Sequence, residues 1–394
     1  MAYKSKILSL VLFFILLLTI ESCIEPVAVE LDENDSEPML VVAGQITDEE
    51  GPFRIKLTTS IPIDVMYYSK PVLSADVRIM DDHGNLFQLY GDDNGWYETE
   101  NKNLKGIPGN SYTLSITTKE GMQYESSSVL MEKVPGIDSV YYEEVKHTRF
   151  EGGENYEDNW LNILLNTHDP EGTVKYWYFE FEETWEVKML TDYVMVQHSP
   201  PGTADDISWE SVDISDEKRV CWVTRPSLSI IVASTVSSPM NEIKKLQIQS
   251  LGPGSDKLLI KYSIRVTQSS ISRELYDFWK QLIDANENVG GIYDKIPAQV
   301  YGNMSCCDGT KKALGYFSAL SVKEKRIFID KSEHHVETVS AYKGCYYYDF
   351  EQLSWIPKSY FGTISDTDTK LYCSDDFCAD CRDYGTNIKP DFWE

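Results

Sequence analysis

The side chains with the most chemical potential in this sequence are its cysteines. Seven of the eight lie in the second half of the chain: Cys221, Cys306, Cys307, Cys345, Cys373, Cys378 and Cys381. Thiolates and imidazoles together can hold zinc, and Cys373, Cys378 and Cys381 with His334-His335 upstream supply both ligand types. Their spacing lacks the two matched Cys-x2-Cys knuckles of a structural zinc site. No metal and no cofactor is therefore expected. Cys378-Ala379-Asp380-Cys381 has the spacing of a redox pair, but no βαβ pattern surrounds it. In an oxidising compartment these thiols are disulfide material, and seven is odd, so at least one is left over or pairs with another chain. For the vicinal pair Cys306-Cys307, each thiol is expected to partner a distant cysteine, with Cys345 as one candidate.

A second group is the aromatic stripe in VKYWYFEFEETWEV (174–187), where Trp177, Phe179, Phe181, Trp185 and Val187 alternate with polar residues. Period two puts them on one face of a strand. That face is either a core face or a platform on which sugar rings stack, with Trp177 and Trp185 as the stacking residues. Hydrolytic signatures are missing from the sequence: there is no Gly-x-Ser-x-Gly elbow, no His-Glu-x-x-His helix and no phosphate loop. With 63 acidic residues, chance carboxylate pairs are too common to single out a glycosidase pair.

The remaining cysteine, Cys23, stands directly after an apolar run. Met1 to Lys6 is a short basic start, Ile7 to Ile20 is almost unbroken hydrocarbon, and Ile20-Glu21-Ser22-Cys23 has the form of a bacterial lipobox. The run is under the ~20 residues a spanning helix needs and suits a secretory signal peptide. Cys23 would then begin the mature protein and carry acyl chains, each buried methylene adding about 0.8 kcal/mol of membrane affinity. An ordinary signal peptide cut beside a cysteine is the alternative, but no Ala-x-Ala site competes nearby.

Composition narrows the partners. The net charge of −27 repels phosphate backbones and anionic headgroups, which excludes nucleic acid and basic-patch docking on a membrane. Any membrane attachment must come from the lipid.

Taken in order, residues 1–22 read as the signal peptide and 23–38 as a lipidated cysteine with an acidic tether. Residues 39–134 carry short alternating runs separated by turn residues such as Asn94-Gly95 and Pro108-Gly109-Asn110, which predicts an Ig-like β-sandwich of about seven strands. Asp92-Asp93-Asn94-Gly95 reads as a hairpin turn and not as a calcium loop. Val134-Pro135-Gly136 marks a boundary, after which residues 135–394 form a larger β-rich domain. Within it the period changes once, near 270–288, where Ile271, Leu275, Phe278, Trp279, Leu282 and Ile283 share a helical face, with Ser270 or Ser272 as cap. The fold class is thus mainly β with one packed amphipathic helix and a cysteine-containing tail. Asp138-Ser139-Val140 matches a short bacterial O-glycosylation signal.

Several segments together resemble a known family. They are Leu40-Val41-Val42-Ala43-Gly44-Gln45, Val134-Pro135-Gly136-Ile137-Asp138, Tyr276-Asp277-Phe278-Trp279, Gly302-Asn303 and Leu314-Gly315-Tyr316-Phe317-Ser318. On these the chain is similar to the Bacteroidota outer-membrane lipoprotein family catalogued as domain of unknown function 4249. The resemblance implies a lipid-anchored, non-enzymatic protein of the outer membrane, with the cell surface favoured, serving a TonB-dependent transporter as an accessory or binding subunit. It brings no catalytic residues. A glycan-binding surface lipoprotein is the alternative, and an envelope hydrolase a further one.

Overall fold

The computed structural model describes residues 38–60, 69–102, 104–189, 193–198, 208–213, 215–287, 300–309, 311–340 and 380–394, with three two-residue strands near 348, 361 and 372. The protein is mainly β, with several sheets and, among the described residues, one helix longer than two turns. Cys23, most of the tether, Cys345 and Cys378 lie outside the described residues.

The first body is built from β1 (Leu40–Thr47), β2 (Arg54–Thr59), β3 (Asp76–Asp81), β4 (Leu86–Gly91), β5 (Trp96–Thr99), β6 (Ser111–Thr117), β7 (Gln123–Ser126) and β8 (Val129–Leu130). Alternation sends Val42, Ile46, Ile55, Leu57, Val77, Ile79, Leu114 and Ile116 into one core. Turn chemistry fixes the register. At the β4–β5 hairpin the Asp92 carboxylate accepts from the backbone N–H of Asn94 (2.8 Å) and Trp96 (2.9 Å), and Gly95 takes a positive φ of 81°. These donors hold the Asp92 carboxyl below its ordinary range, so the segment is the hairpin turn its sequence suggests.

This body does not end at residue 134. Two later strands, β18 (Met304–Cys306) and β19 (Ala313–Leu320), close the path β18-β7-β6-β3-β4-β5-β2-β1-β19. β19 runs parallel to β1, Leu40 opposite Ala313 through Thr47 opposite Leu320. Gly315 makes that pairing possible: its φ is +89°, and a Cβ there would meet the Val42 carbonyl oxygen at 1.9 Å. Met304, Cys306, Phe317 and Ala319 complete the core.

Apart from a separate sheet in which β12 (Tyr193–His198) pairs antiparallel with β13 (Ser208–Asp213), the second body stacks two sheets. The first holds β16 (Glu242–Leu251), β10 (Glu154–His168) and β9 (Ile137–Glu151). The other runs β14 (Val220–Pro226), β11 (Tyr176–Lys188), β17 (Lys261–Ser270) and β20 (Val322–Asp330), with β15 (Ile231–Ser234) also on β11. Leu161, Ile163 and Leu165 face Trp177, Phe179, Phe181, Tyr262, Ile264 and Val266 across the interior. Beyond the Leu161–Leu251 pair, β9 and β10 continue as a two-stranded ribbon whose tip carries Phe150, 72% exposed.

Helix α1 (Arg273–Glu287) sits at the junction. Of the two candidate caps, Ser272 is the cap: its hydroxyl accepts from Leu275 N–H at 3.2 Å. The Ser270 hydroxyl instead donates to the Glu132 carbonyl at 2.9 Å. Ile271, Leu275 and Phe278 pack with Tyr178, Leu320 and Val322 in a third small core, and Trp279 stacks on Tyr178 with centroids 5.6 Å apart. The chain passes between the bodies directly after β19, where the Asp48 carboxylate accepts from the Ser321 hydroxyl and the Val322 N–H, both at 2.8 Å. Gln268 Nε2 donates to the Pro135 carbonyl at 2.9 Å and pins the other crossing.

Candidate functional site

Between the rim of the first body and α1 lies a cleft of about 630 Å³. Ser127 to Leu130 come from the β7–β8 edge, Tyr301 to Asn303 from the approach to β18, Tyr316 from β19, and Ser272, Glu274, Phe278 and Gln281 from the helix. Its floor is set by a backbone fit: a Cβ on Gly302 would stand 1.6 Å from the Gly315 carbonyl oxygen. Asn303 locks the same place, donating from Nδ2 to the Phe317 carbonyl (2.8 Å) and accepting from Phe317 N–H (2.9 Å).

Two carboxylates face this space, and their surroundings push them apart. Burial, and secondly the Glu274 charge, raises the Glu132 carboxyl above its ordinary range. Glu274 is lowered, chiefly by its own backbone N–H and by the Ser272 side chain in the first turn of α1. The walls are aromatic: Phe278 packs on Tyr316 at 5.2 Å between centroids, and the Lys312 ammonium lies 5.2 Å over the Tyr301 ring while donating to its hydroxyl at 3.1 Å. Burial pushes the Tyr316 hydroxyl up.

The alternative of a stacking platform at Trp177 and Trp185 is not available: the two indoles are 0% and 2% exposed, inside the second body. The stripe is a core face, because the sheet of β9, β10 and β16 covers it. Trp185 Nε1 donates to Asp256 Oδ2 at 3.1 Å, and Asp256 also accepts from the Tyr384 hydroxyl at 2.7 Å. Beside it Glu183, buried, accepts from Lys257 Nζ (2.6 Å), the Tyr262 hydroxyl (2.7 Å) and Gln249 Nε2 (3.1 Å).

Of the cysteines, Cys221 and Cys381 form a disulfide with Cα atoms 5.7 Å apart. It fastens the tail along β14, where Trp222 and Thr386 exchange two backbone hydrogen bonds of 2.8 and 2.9 Å. Cys306 and Cys307 are free thiols, which corrects the expectation that each bridges a distant cysteine. Consecutive residues at the end of β18 point to opposite sides, so Cys306 enters the core and Cys307 faces solvent. Cys373 falls in one of the two-residue strands, and only its backbone is described. His334 is buried, with Nε2 donating to the Leu258 carbonyl at 3.1 Å, and the exposed His335 pairs with Glu144. Among the described residues no group of three or more His, Cys, Asp or Glu is arranged to hold a metal ion. Ser139 lies in β9, accepting from Asn166 Nδ2 at 3.0 Å.

Sequence reasoning did not find the cleft. Glu132 stands in a connecting segment, Glu274 reads only as a first-turn acid, and no periodicity relates the two. Gly302-Asn303 and Tyr316 were visible as markers of resemblance, without a role.

The fold and the cleft together define a mainly β protein of two bodies, joined by pinned crossings with a cavity at the seam. A family model described as Domain of unknown function (DUF4249) matches residues 24–326, and the chain belongs to that family. No curated protein matches it. Among the described residues no helix is long and apolar enough to cross a membrane.

Proposed function

We propose that this protein is a non-catalytic binding or accessory subunit, held at the outer membrane by acyl chains on Cys23 and serving a TonB-dependent transporter in nutrient uptake. The observation that carries the binding role is the junction cleft. Its volume falls within the roughly 300–1,000 Å³ of small-ligand sites, and such sites favour the seam between structural units. The lipobox-like Ile20-Glu21-Ser22-Cys23 and the charge of −27 support the anchor, since a surface so acidic needs a lipid to stay at a bilayer. The transporter partnership rests on the family resemblance.

A hydrolytic role has one observation in its favour: the opposed shifts of Glu132 and Glu274 are what an acid and base pair requires. The bonds that lower Glu274 belong to the first turn of α1, however, so its carboxylate serves the helix end and is not free for a substrate. Turnover of aryl glycosides that disappears in Glu132→Gln would favour hydrolysis over binding.

The direct test is affinity purification of the detergent-solubilised native protein from outer membranes. A TonB-dependent transporter recovered in near-equal amount is the expected result, and recovery of the protein alone contradicts the proposal. Protease treatment of whole cells, expected to cleave it, reports the cell-surface location.

A further inference from the structure

We propose that the junction cleft receives an organic cation, a ligand bearing a protonated amine or a quaternary ammonium group, an inference that rests on reading the cleft as the ligand site. The lining includes two carboxylates and no lysine, arginine or histidine. Among the described residues, several other acids withdrawn from water are answered by donors. Glu183 has Lys257, Tyr262 and Gln249, and Asp48 has Ser321 and Val322. Asp169 accepts from the Glu171 and Val174 N–H groups, and Glu180 from the Tyr178 hydroxyl. Glu132 is the exception: burial and the Glu274 charge act on it, and no described residue donates to its carboxylate.

A carboxylate kept half-buried beside a second one, with no cation of its own, is completed by a positive ligand. An anion would meet both charges and the field of a protein of net charge −27. A polyol would find the Ser127, Ser128 and Gln281 side chains in the lining, but these neutral partners leave the Glu132 charge unanswered, and the Asn303 amide is committed to the Phe317 backbone and Glu274 to the first turn of α1. The aromatic wall offered to a cation is Phe278 and Tyr316, whose ring centres are 5.2 Å apart, while the Tyr301 ring is already taken by the Lys312 ammonium.

The test is calorimetric titration of the purified full-length protein with n-butylammonium and tetramethylammonium chloride, with n-butanol and maltose as neutral probes. The ammonium probes are expected to bind and n-butanol not. Binding should weaken about tenfold or more in Glu132→Gln, since one lost charge contact is worth about that factor. It should be partly kept in Glu132→Asp. Leu130→Arg, a change at a half-exposed position on the rim, should also weaken it by repulsion. Equal affinity for n-butylammonium and n-butanol, or unchanged affinity in Glu132→Gln, overturns the inference. Maltose binding alone overturns the cationic class but leaves the cleft as a ligand site. Absence of binding by every probe overturns the inference while a co-purifying transporter still supports the accessory role.

Discussion

Glu132 holds its proton in the folded protein over a pH range in which the unfolded chain has lost it. Its raised folded value therefore lowers stability at neutral pH, an effect that fades as the pH falls below the ordinary carboxyl value of 4.5. Glu132→Gln is expected to be more stable than the native protein in urea at neutral pH and equal to it in acid. A less stable variant would show that the side chain is a structural acceptor. His334 has the opposite sign. Burial, then Lys331, lowers its imidazole from 6.5, so its contribution is present above that pH and is lost as the pH falls through it toward the folded value. In His334→Gln the slope of stability between neutral and mildly acidic pH should flatten. Trp177 and Trp185 make a plainer case: replacing either with Ala should cost about 3–5 kcal/mol in equilibrium unfolding, as a large buried ring does. A soluble, equally stable Trp185→Ala would contradict its place in the core.

The elements show what the amino-acid pattern can and cannot reveal. Period-two runs such as 40–46, 53–60 and 75–81 give β1, β2 and β3 almost residue for residue, because one buried face imposes the alternation. The helix is equally legible, since its stripe of Leu275, Phe278 and Leu282 has no strand explanation. What stays hidden is the pairing of β1 with β19. Parallel partners about 270 positions apart leave no local trace, so Val134-Pro135-Gly136 reads as the end of a body that β18 and β19 complete later. The cleft is hidden for the same reason, as its two carboxylates meet only after those crossings are made. Asp48 fastens the crossing after β19. Asp48→Ala leaves the Val322 N–H and the Ser321 hydroxyl without their partner and should cost about 1–3 kcal/mol. Hydrogen exchange should rise at Ser321 and Val322 before it rises in β3 or β6. Uniform loss of protection would mean that Asp48 does not act on the junction.

At the scale of the whole molecule, an acidic surface is repelled by the headgroups of a membrane it is proposed to occupy. Charge of that sign and size keeps the body in water, and about 0.8 kcal/mol per buried methylene on acyl chains must oppose it. The two β bodies, joined by the hydrogen bonds of Asp48 and Gln268, hold the junction cleft between them. The proposed ligand and the proposed transporter partner both depend on this arrangement, for neither matters unless the body is held at the bilayer. The measurement that bears on it most directly is fractionation of cells expressing the native chain and Cys23→Ser, with labelled palmitate supplied to both. The account predicts label and outer-membrane sedimentation for the native protein, and neither for the variant. Label absent from both, with both still sedimenting with the outer membrane, would contradict it.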